Sequence, residues 1–361
     1  PGTVAGHCTP NMEKYTQKKF PGWNADWLWT GFTAVPDAMD QHLKCDKWED
    51  LPSLIVERDT FANFYHDSED FFTVFFAIAL LGLSRDNVQI LITDLYPWGP
   101  FKPMWTEVFG HKPALSAWDI KEKYGKSRVC FKNLIVGIYG PASPLAIKDF
   151  PTGCKGSPLV RAYSDYVIRG LGLQKYTHMA LSTKNNVIVM TWMSRRPSVM
   201  WPERGYCDDR FFICSEWQHL SKRVIGRIAS NDAEVTKMLQ GFETGTSELI
   251  GVSDRSVVFE AVDYNLVPFQ DQIRQDIQTD ILIGPHGAGL SHTLFLPDRA
   301  HLVEVFIQGS SANKHFQNFA RWRGVGYTPV SGSGASAVNI LKLKEVVIQA
   351  IKSIDISQPK F

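Results

Sequence analysis

The feature that most constrains the fold is an alternation of short apolar strand patterns with helical patterns, in two blocks. In the first block, strand patterns at 51–56 and 88–93 flank a helical pattern at 63–83. A pair of strand patterns at 129–139 then precedes a helical pattern at 159–173. Strands that alternate with helices favour βαβ units and a parallel sheet.

The second block repeats this plan after a polar stretch at 174–185. Its strand patterns lie at 186–191, 256–262, 281–283 and 301–306, and its helical patterns at 233–241, 269–278, 312–323 and 340–354. We therefore predict two Rossmann-like halves, 49–178 and 179–361, whose last helix is a candidate to cross back to the first half. Ligands are expected between the halves, at the carboxyl ends of the strands. Residues 1–48 are expected to form an irregular arm that packs through Trp23, Trp27 and Trp29.

Charge and hydropathy exclude two classes of partner. Lys and Arg number 38 and Asp and Glu 37, a net charge of +1, whereas a nucleic-acid binder shows a clustered positive excess. The longest apolar run, 71–83, falls short of the ~20 residues that span a bilayer. The chain begins at Pro1 without a signal-peptide pattern, so we expect a processed ectodomain whose membrane anchor lies outside this sequence.

Six cysteines give a second clue to the environment of the chain. The pairs 130/154 and 207/214 close short loops and are candidates for disulfides, with free thiols as the alternative. There is no Cys-x-x-Cys, which argues against structural zinc and thioredoxin-type chemistry.

The segment ILIGPHGAGL, residues 281–290, is the most informative for function. A strand ends in glycine, and Gly287, Ala288 and Gly289 allow a tight turn before a helix that starts near residue 290. The unpaired N–H groups of a helix start suit a pyrophosphate, and His286 is placed to donate to a phosphate oxygen. An ordinary strand–helix turn with a structural histidine explains the pattern equally well.

Glu304 follows one strand later, between Val303 and Val305. An acidic residue after a strand of a Rossmann-like half can accept hydrogen bonds from both ribose hydroxyls. Burial without a partner would be costly there, so a structural salt bridge is the alternative.

At this point the sequence resembles a known family. The segment HGAGLSHTLFLPDRAHLVEVF, 286–306, is similar to the signature of glycosyltransferase family 61. Weaker similarities occur in the same order as in that family: FANFYHDSEDFF at 61–72, CFKNLIVG at 130–137 with Cys154 as a partner position, Arg195-Arg196, and FQDQI at 269–273. FARWRGVGY, 319–327, resembles the plant branch that adds xylose in β1,2 linkage to N-glycan cores.

The resemblance implies an inverting glycosyltransferase of the GT-B type, with two facing Rossmann-like domains and a UDP-sugar donor. Arg195, with Arg196 as the alternative, and His286 would neutralise the pyrophosphate beside the 287–289 turn, and Glu304 would hold the ribose. The donor is expected to be UDP-xylose, with UDP-GlcNAc or UDP-arabinose as alternatives, and the acceptor a glycan or glycoprotein. The expected location is the secretory pathway, in the Golgi or ER lumen.

The resemblance also implies a catalytic base in the N-terminal half. His66 and Asp70 are four residues apart and share one face of a helix. Asp70 is favoured as the base because a carboxylate is ionised at neutral pH, and His66 oriented by Asp70 is the alternative. Without the resemblance, the pair would be an ordinary helical contact. Asn63 and Trp105 are candidates for acceptor binding.

The expected chemistry needs no metal or other cofactor, since no Asp-x-Asp pattern occurs and cationic side chains can replace the metal. Exposed tryptophans could stack on sugar rings or simply pack at a domain junction. The candidates for this are Trp98, Trp105, Trp192 and Trp201.

Two other function classes remain open. A non-catalytic glycan-binding protein on a decayed transferase fold would have lost Asp70, Arg195 or His286, but all three are present. A dehydrogenase would need a Gly-x-Gly-x-x-Gly turn with an acid ~20 residues later, which the sequence lacks.

Overall fold

The structure is a computed structural model of the 361-residue chain. It describes residues 2–5, 32–35, 44–110, 112–138, 140, 143–146, 155–177, 186–195, 228–251, 254–307, 313–332, 336–358 and 360–361. Among these, no helix has the length and apolar character needed to cross a bilayer.

The first half of the chain alternates strands with helices, as expected. Its elements are β1 (Gly2–Ala5), β2 (Phe32–Val35), β3 (Lys47–Glu49), β4 (Ser53–Val56), α1 (Phe64–Leu80), β5 (Gln89–Ile92), a π-helical segment (Met104–Val108), α2 (Ala117–Tyr124), β6 (Val129–Phe131), β7 (Leu134–Ile138), a 3₁₀ turn (Pro144–Ala146) and α3 (Pro158–Gly170).

The second half follows the same plan. Its elements are β8 (Val187–Met193), α4 (Asp232–Ile250), β9 (Ser256–Val262), a 3₁₀ turn (Tyr264–Leu266), α5 (Phe269–Gln278), β10 (Ile281–Pro285), a 3₁₀ helix (Ala288–Phe295), β11 (His301–Phe306), α6 (His315–Arg323), β12 (Gly326–Ser331) and α7 (Ile340–Ser353).

All strand pairs among the described residues are parallel, which confirms the predicted α/β class. The largest sheet has the order β12-β11-β10-β8-β9, and a three-stranded sheet has the order β5-β4-β7. Two smaller sheets pair β1 with β2 and β3 with β6. The predicted strand pair at 129–139 is therefore two strands in different sheets, since β6 joins β3 and β7 joins β4.

Local sequence explains where several helices begin. Asn63 caps α1 by accepting from the Tyr65 backbone N–H, and Ser157 caps α3 with Pro158 as its first residue. Ser116 and Asp119 form a reciprocal capping box at the start of α2. The helix at 117–124 was not predicted, because its side chains are mostly exposed and give little apolar periodicity.

The two halves of the chain share an apolar core. Phe64 of α1 packs against Phe101 from the first half, and against Phe269 and Phe295 from the second. Helix α7, the candidate to cross back to the first half, packs on α4, β11 and β12, which all belong to the second half. The C-terminal Lys360 donates to Asp280 Oδ2 over 2.8 Å at the start of β10, and both residues are buried.

The described part of the predicted arm, 1–48, contains regular structure. Strands β1 and β2 pair with each other, and β3 pairs with β6 in the body of the protein. Trp23, Trp27 and Trp29 lie outside the described residues.

The disulfide prediction was wrong at Cys130. Cys130 of β6 forms a disulfide with Cys45, not with Cys154, and Cys45 lies just before β3, the strand that pairs with β6. The two Cα atoms are 5.8 Å apart, within the usual range for a disulfide. Cys154, Cys207 and Cys214 lie outside the described residues.

The Cys45–Cys130 bond should contribute measurably to stability. It closes a long loop, with a sequence separation of 85, and thereby restricts the unfolded chain. We expect the double variant Cys45→Ser/Cys130→Ser to lower the free energy of unfolding by about 2–4 kcal/mol. Urea unfolding measures this loss, and full reduction of both proteins should abolish the difference. Equal stability of the two oxidised proteins would contradict the prediction.

Candidate active site

In both larger sheets, the first strand along the chain lies between the second and third strands of that sheet. β8 lies between β9 and β10, and β4 lies between β5 and β7. In open parallel sheets, ligands bind outside the carboxyl ends of the strands where the strand order reverses. Arg195 follows β8 and the 286–289 turn follows β10, so these predicted residues meet at such a point. In the first half, the corresponding position is the carboxyl end of β4, and the segment that follows this strand begins at Glu57.

His286 is held by two residues of the neighbouring strands. Its Nδ1 lies 2.5 Å from Glu304 Oε1 in β11. The second oxygen of Glu304 accepts from the Tyr327 hydroxyl in β12 over 2.8 Å. The His286 ring also stacks on Phe306, with centroids 5.1 Å apart. The ring orientation is therefore fixed before any ligand binds.

Arg195 lies against the turn that follows His286. A Cβ atom at Gly287 would come within 2.4 Å of Arg195 Nη2, so only glycine admits the guanidinium there. Gly289 makes room for Met193 in the same way, with a hypothetical Cβ 2.5 Å from Sδ. The small residues predicted to approach a ligand thus also bring Arg195 and His286 together. Ala288 begins the 3₁₀ helix, close to the predicted start at residue 290.

In the first half, His66 lies between two carboxylates. Its Nδ1 is 2.9 Å from Asp59 Oδ2 and 3.1 Å from Glu69 Oε2. Burial lowers the pKa of His66, but the hydrogen bonds to Asp59 and Glu69 outweigh burial and raise the pKa to about 10. The imidazole is thus protonated at neutral pH. Asp59 and Glu69 orient His66 in the structure, whereas the sequence predicts that Asp70 does so.

Asp70 is buried and faces inward. Its Oδ2 accepts from the Asp59 backbone N–H over 2.9 Å, and its Oδ1 lies where a Cβ on Gly140 would collide with it. Burial, followed by the charge of Asp67, raises the pKa of Asp70 well above its usual range. Burial therefore works against the expectation that Asp70 is ionised without help. Asp70 holds the segment that carries Asp59.

An aromatic contact joins the two parts of the site. The Tyr65 hydroxyl lies 2.8 Å from His315 Nδ1 of α6. The Phe316 ring lies 5.9 Å from Tyr65 and 5.4 Å from His286, measured between centroids. His66 is adjacent to Tyr65 in the chain, so the structure brings the His66 and His286 groups to the same junction.

Comparison with known proteins identifies the family of the chain. The sequence model described as Glycosyltransferase 61 matches residues 64–303, most of the chain. The chain belongs to the glycosyltransferase 61 family. The matched region covers helix α1, both switch-point segments of the second half and the first three residues of β11, so the resemblance to this family is confirmed.

Curated relatives of this chain carry one shared name. The chain is 27% identical over 342 residues to an EGF domain-specific O-linked N-acetylglucosamine transferase of Drosophila melanogaster, covering 91% of this chain and 55% of that protein. Proteins of the same name from Canis lupus familiaris and Gallus gallus are each 25% identical, covering 90% of this chain and 54% and 53% of theirs. The chain spans about half the length of the curated relatives it matches.

Several predicted site residues of this glycosyltransferase have structural roles. Trp105 is 1% exposed and packs edge-on against Phe71, so it cannot stack on an acceptor sugar. Trp192 is also buried and donates to Asp232. Trp98 is half-buried, and Asn63 uses its side-chain oxygen as the α1 cap. Arg196 and Trp201 lie outside the described residues.

Sequence reasoning missed three acidic residues near His66 and the carboxyl end of β4: Glu57, Asp59 and Glu69. Burial, and then the charge of Asp94, raises the pKa of Glu57 to about 7, and its Oε2 has no hydrogen-bond partner among the described residues. A signal was available, because Glu57 and Asp59 directly follow a predicted strand. Ligands of parallel sheets bind at the carboxyl ends of strands, which makes both residues candidates for the site.

Asp59, His66 and Glu69 also form a group that could hold a metal ion. Their ligand atoms lie within 4.8 Å of one another, and no second such group occurs among the residues that the structure describes. Direct hydrogen bonds between the imidazole and both carboxylates account for these distances.

The His66 group should give stability a distinctive pH dependence. The pKa rises from 6.5 in the unfolded chain to about 10 in the folded protein, so the contribution is complete below pH 6.5 and is lost as the pH approaches 10. We expect urea unfolding of the wild type to show a decline in stability over this range that His66→Gln lacks.

His301 provides the control of opposite sign. Burial lowers its pKa to about 4, so its unfavourable contribution develops as the pH falls from 6.5 towards 4. His301→Gln should therefore leave the alkaline decline unchanged. An alkaline decline that persists in His66→Gln would show that the ion pair with Asp59 and Glu69 is not formed.

Proposed function

We propose that this glycosyltransferase transfers N-acetylglucosamine from UDP-GlcNAc to a hydroxyl group of a protein acceptor, with inversion at the anomeric carbon. The observation that carries the proposal is the junction itself. Arg195 and the 286–289 turn, which follow β8 and β10, offer cationic and N–H groups for a diphosphate. The His66 group of the other half is next to Tyr65, whose ring contacts Phe316, and Phe316 in turn contacts His286. Single displacement needs these two functions on opposite sides of the sugar.

The second half of the chain is suited to the donor. Arg195, His286 and the backbone N–H groups of the 287–289 turn would neutralise the pyrophosphate as negative charge develops on the leaving UDP. Arg196 remains a candidate for the same task. The fixed His286 ring makes this arrangement available without reorganisation, which is the condition for efficient charge stabilisation.

The first half supplies the proton acceptor. Because His66 is already protonated, the acceptor proton passes to a carboxylate beside it, and Asp59 is the more exposed of the two, at 10% against 4% for Glu69. The acceptor oxygen attacks the anomeric carbon, its proton moves to Asp59, and the bond from that carbon to UDP breaks with its electron pair on UDP. His66 orients the Asp59 carboxylate, and Asp70 holds the backbone of the same segment.

The choice of sugar follows the curated relatives. Their printed name states O-linked N-acetylglucosamine transfer, whereas xylose was inferred from the segment 319–327. In the structure this segment begins in α6, where Phe319 and Trp322 are buried and Arg323 pairs with Asp298. Its resemblance to the xylose-adding branch is thus explained by packing and does not indicate a pocket for xylose. UDP-xylose and UDP-arabinose become comparison donors.

Three further features belong to this proposal. The halves 49–178 and 179–361 would form the facing GT-B domains, which the two separate parallel sheets support. The Cys45–Cys130 disulfide supports an oxidising compartment, the Golgi or ER lumen. Arg195 and His286 would replace a metal ion at the diphosphate, so donor binding should not require a divalent cation.

Donor binding tests the proposal directly. We expect calorimetry to show that UDP and UDP-GlcNAc bind in EDTA as well as in Mn²⁺, and that UDP-xylose binds more weakly than UDP-GlcNAc. Arg195→Ala should weaken UDP binding at least about 30-fold, because the diphosphate loses a charged partner. Arg274→Ala, which removes an exposed arginine of the same half, is the matched control. If the folded protein binds no UDP-sugar, a non-catalytic glycan-binding function takes the place of transfer.

The proton acceptor is tested by separating binding from turnover. Asp59→Asn should lower kcat for transfer to an EGF-type domain by roughly 10²–10⁴-fold, with UDP affinity unchanged. Glu57→Gln is the comparison variant, since Glu57 is the other carboxyl that follows β4. A large loss of kcat in Glu57→Gln, together with an active Asp59→Asn, would move the base to Glu57.

A further inference from the structure

Glu304 is placed where a ribose hydroxyl does not reach it. The residue lies inside β11 between Val303 and Val305, and its side chain has 0% exposure. Both carboxylate oxygens are occupied, Oε1 by His286 Nδ1 and Oε2 by the Tyr327 hydroxyl. A ribose contact would require one of these buried hydrogen bonds to break.

The same contacts restrict His286. A carboxylate only accepts hydrogen bonds, so the proton between Glu304 and His286 resides on Nδ1. Phe306 stacks on the ring and Phe316 meets it edge-on, which leaves 14% of the side chain exposed. Nε2 makes no hydrogen bond to a described residue, and His286 is next in the chain to Gly287, against which Arg195 lies.

We infer that Glu304 is a positioning residue that acts on the diphosphate of the donor through His286. It fixes the imidazole with Nδ1 inward and Nε2 towards the phosphate, and Tyr327 in turn fixes the Glu304 carboxylate. The inference rests on the proposed function, since it assumes that a nucleoside diphosphate binds beside Arg195 and His286. It reassigns the role that sequence reasoning gave to Glu304, from a ribose ligand to a support of the phosphate ligand.

A support and a ribose ligand differ in two measurable ways. A residue that acts only through His286 has no effect once His286 is replaced, so the two substitutions are not additive. A ribose ligand acts independently of His286, and its loss removes the preference of the protein for UDP over 2′-deoxy-UDP and 3′-deoxy-UDP. Loss of a general structural role would lower the melting temperature without producing either pattern.

The experiment measures the affinities of UDP and its two deoxy analogues by calorimetry for wild type, Glu304→Gln, His286→Asn and the double variant. Gln keeps the shape and an acceptor oxygen but removes the charge. We expect Glu304→Gln to weaken UDP binding about 10-fold, and the double variant to bind no more weakly than His286→Asn. The ratio of UDP to deoxy-UDP affinity should be the same in wild type and Glu304→Gln.

Tyr327→Phe is the second variant, for use if Glu304→Gln does not fold. It removes one hydrogen bond from Glu304 and leaves the contact with His286 in place. We expect a loss of UDP affinity of roughly 2–5-fold that disappears in the His286→Asn background. An effect of equal size in that background would overturn the inference.

The remaining outcomes separate this inference from the proposed function. UDP affinity unchanged in Glu304→Gln, additive losses in the double variant, or lost discrimination against deoxy-UDP would each overturn the positioning role while leaving transferase function intact. Failure of the folded wild type to bind UDP would overturn both, and the binding measurement on wild type alone identifies that case.

Discussion

The site depends on one packing contact, that of helix α1 with the second half of the chain. Phe64 lies against Phe295 and His292, and Tyr65 bonds to His315. Each large apolar side chain buried in this way stabilises the fold by about 1.5–3 kcal/mol. His66 lies on the same helix and contacts Asp59, so the packing that joins the halves also sets the position of the proposed proton acceptor relative to the proposed diphosphate site.

The two halves of the site use the same chemical pair in different environments. Each places an imidazole against a carboxylate, but Glu304 is fully buried whereas His66 and Asp59 are partly exposed. A buried carboxylate must be fully hydrogen-bonded to be tolerated, and Glu304 is, through His286 and Tyr327. Such a group can fix a neighbour but cannot receive a substrate. The partly exposed pair remains free to exchange a proton, which matches the division of labour proposed for the two halves.

Sequence reasoning succeeded where a signal is local. The strands at 256–262 and 301–306 and the helix at 269–278 have the predicted bounds, and His286 lies at the predicted turn. It failed where the answer depends on what packs from elsewhere. The edge strand β12 has few buried residues, Cys130 bonds to Cys45 because strand β3 pairs with β6, and Asp70 and Trp105 are both buried. Residue type and spacing do not specify burial.

The strand order explains why a motif shows only part of this site. In both sheets the first strand lies between the second and third of that sheet, and the segment after it begins at the edge where the order reverses. Within the second half, Arg195 and the 286–289 turn therefore lie side by side although they are far apart in the chain. The family match starts at residue 64 and so omits Glu57 and Asp59. Both carboxyl groups are found instead by following the end of β4, because the topology, and not the motif, determines which side chains lie at the carboxyl end of that strand.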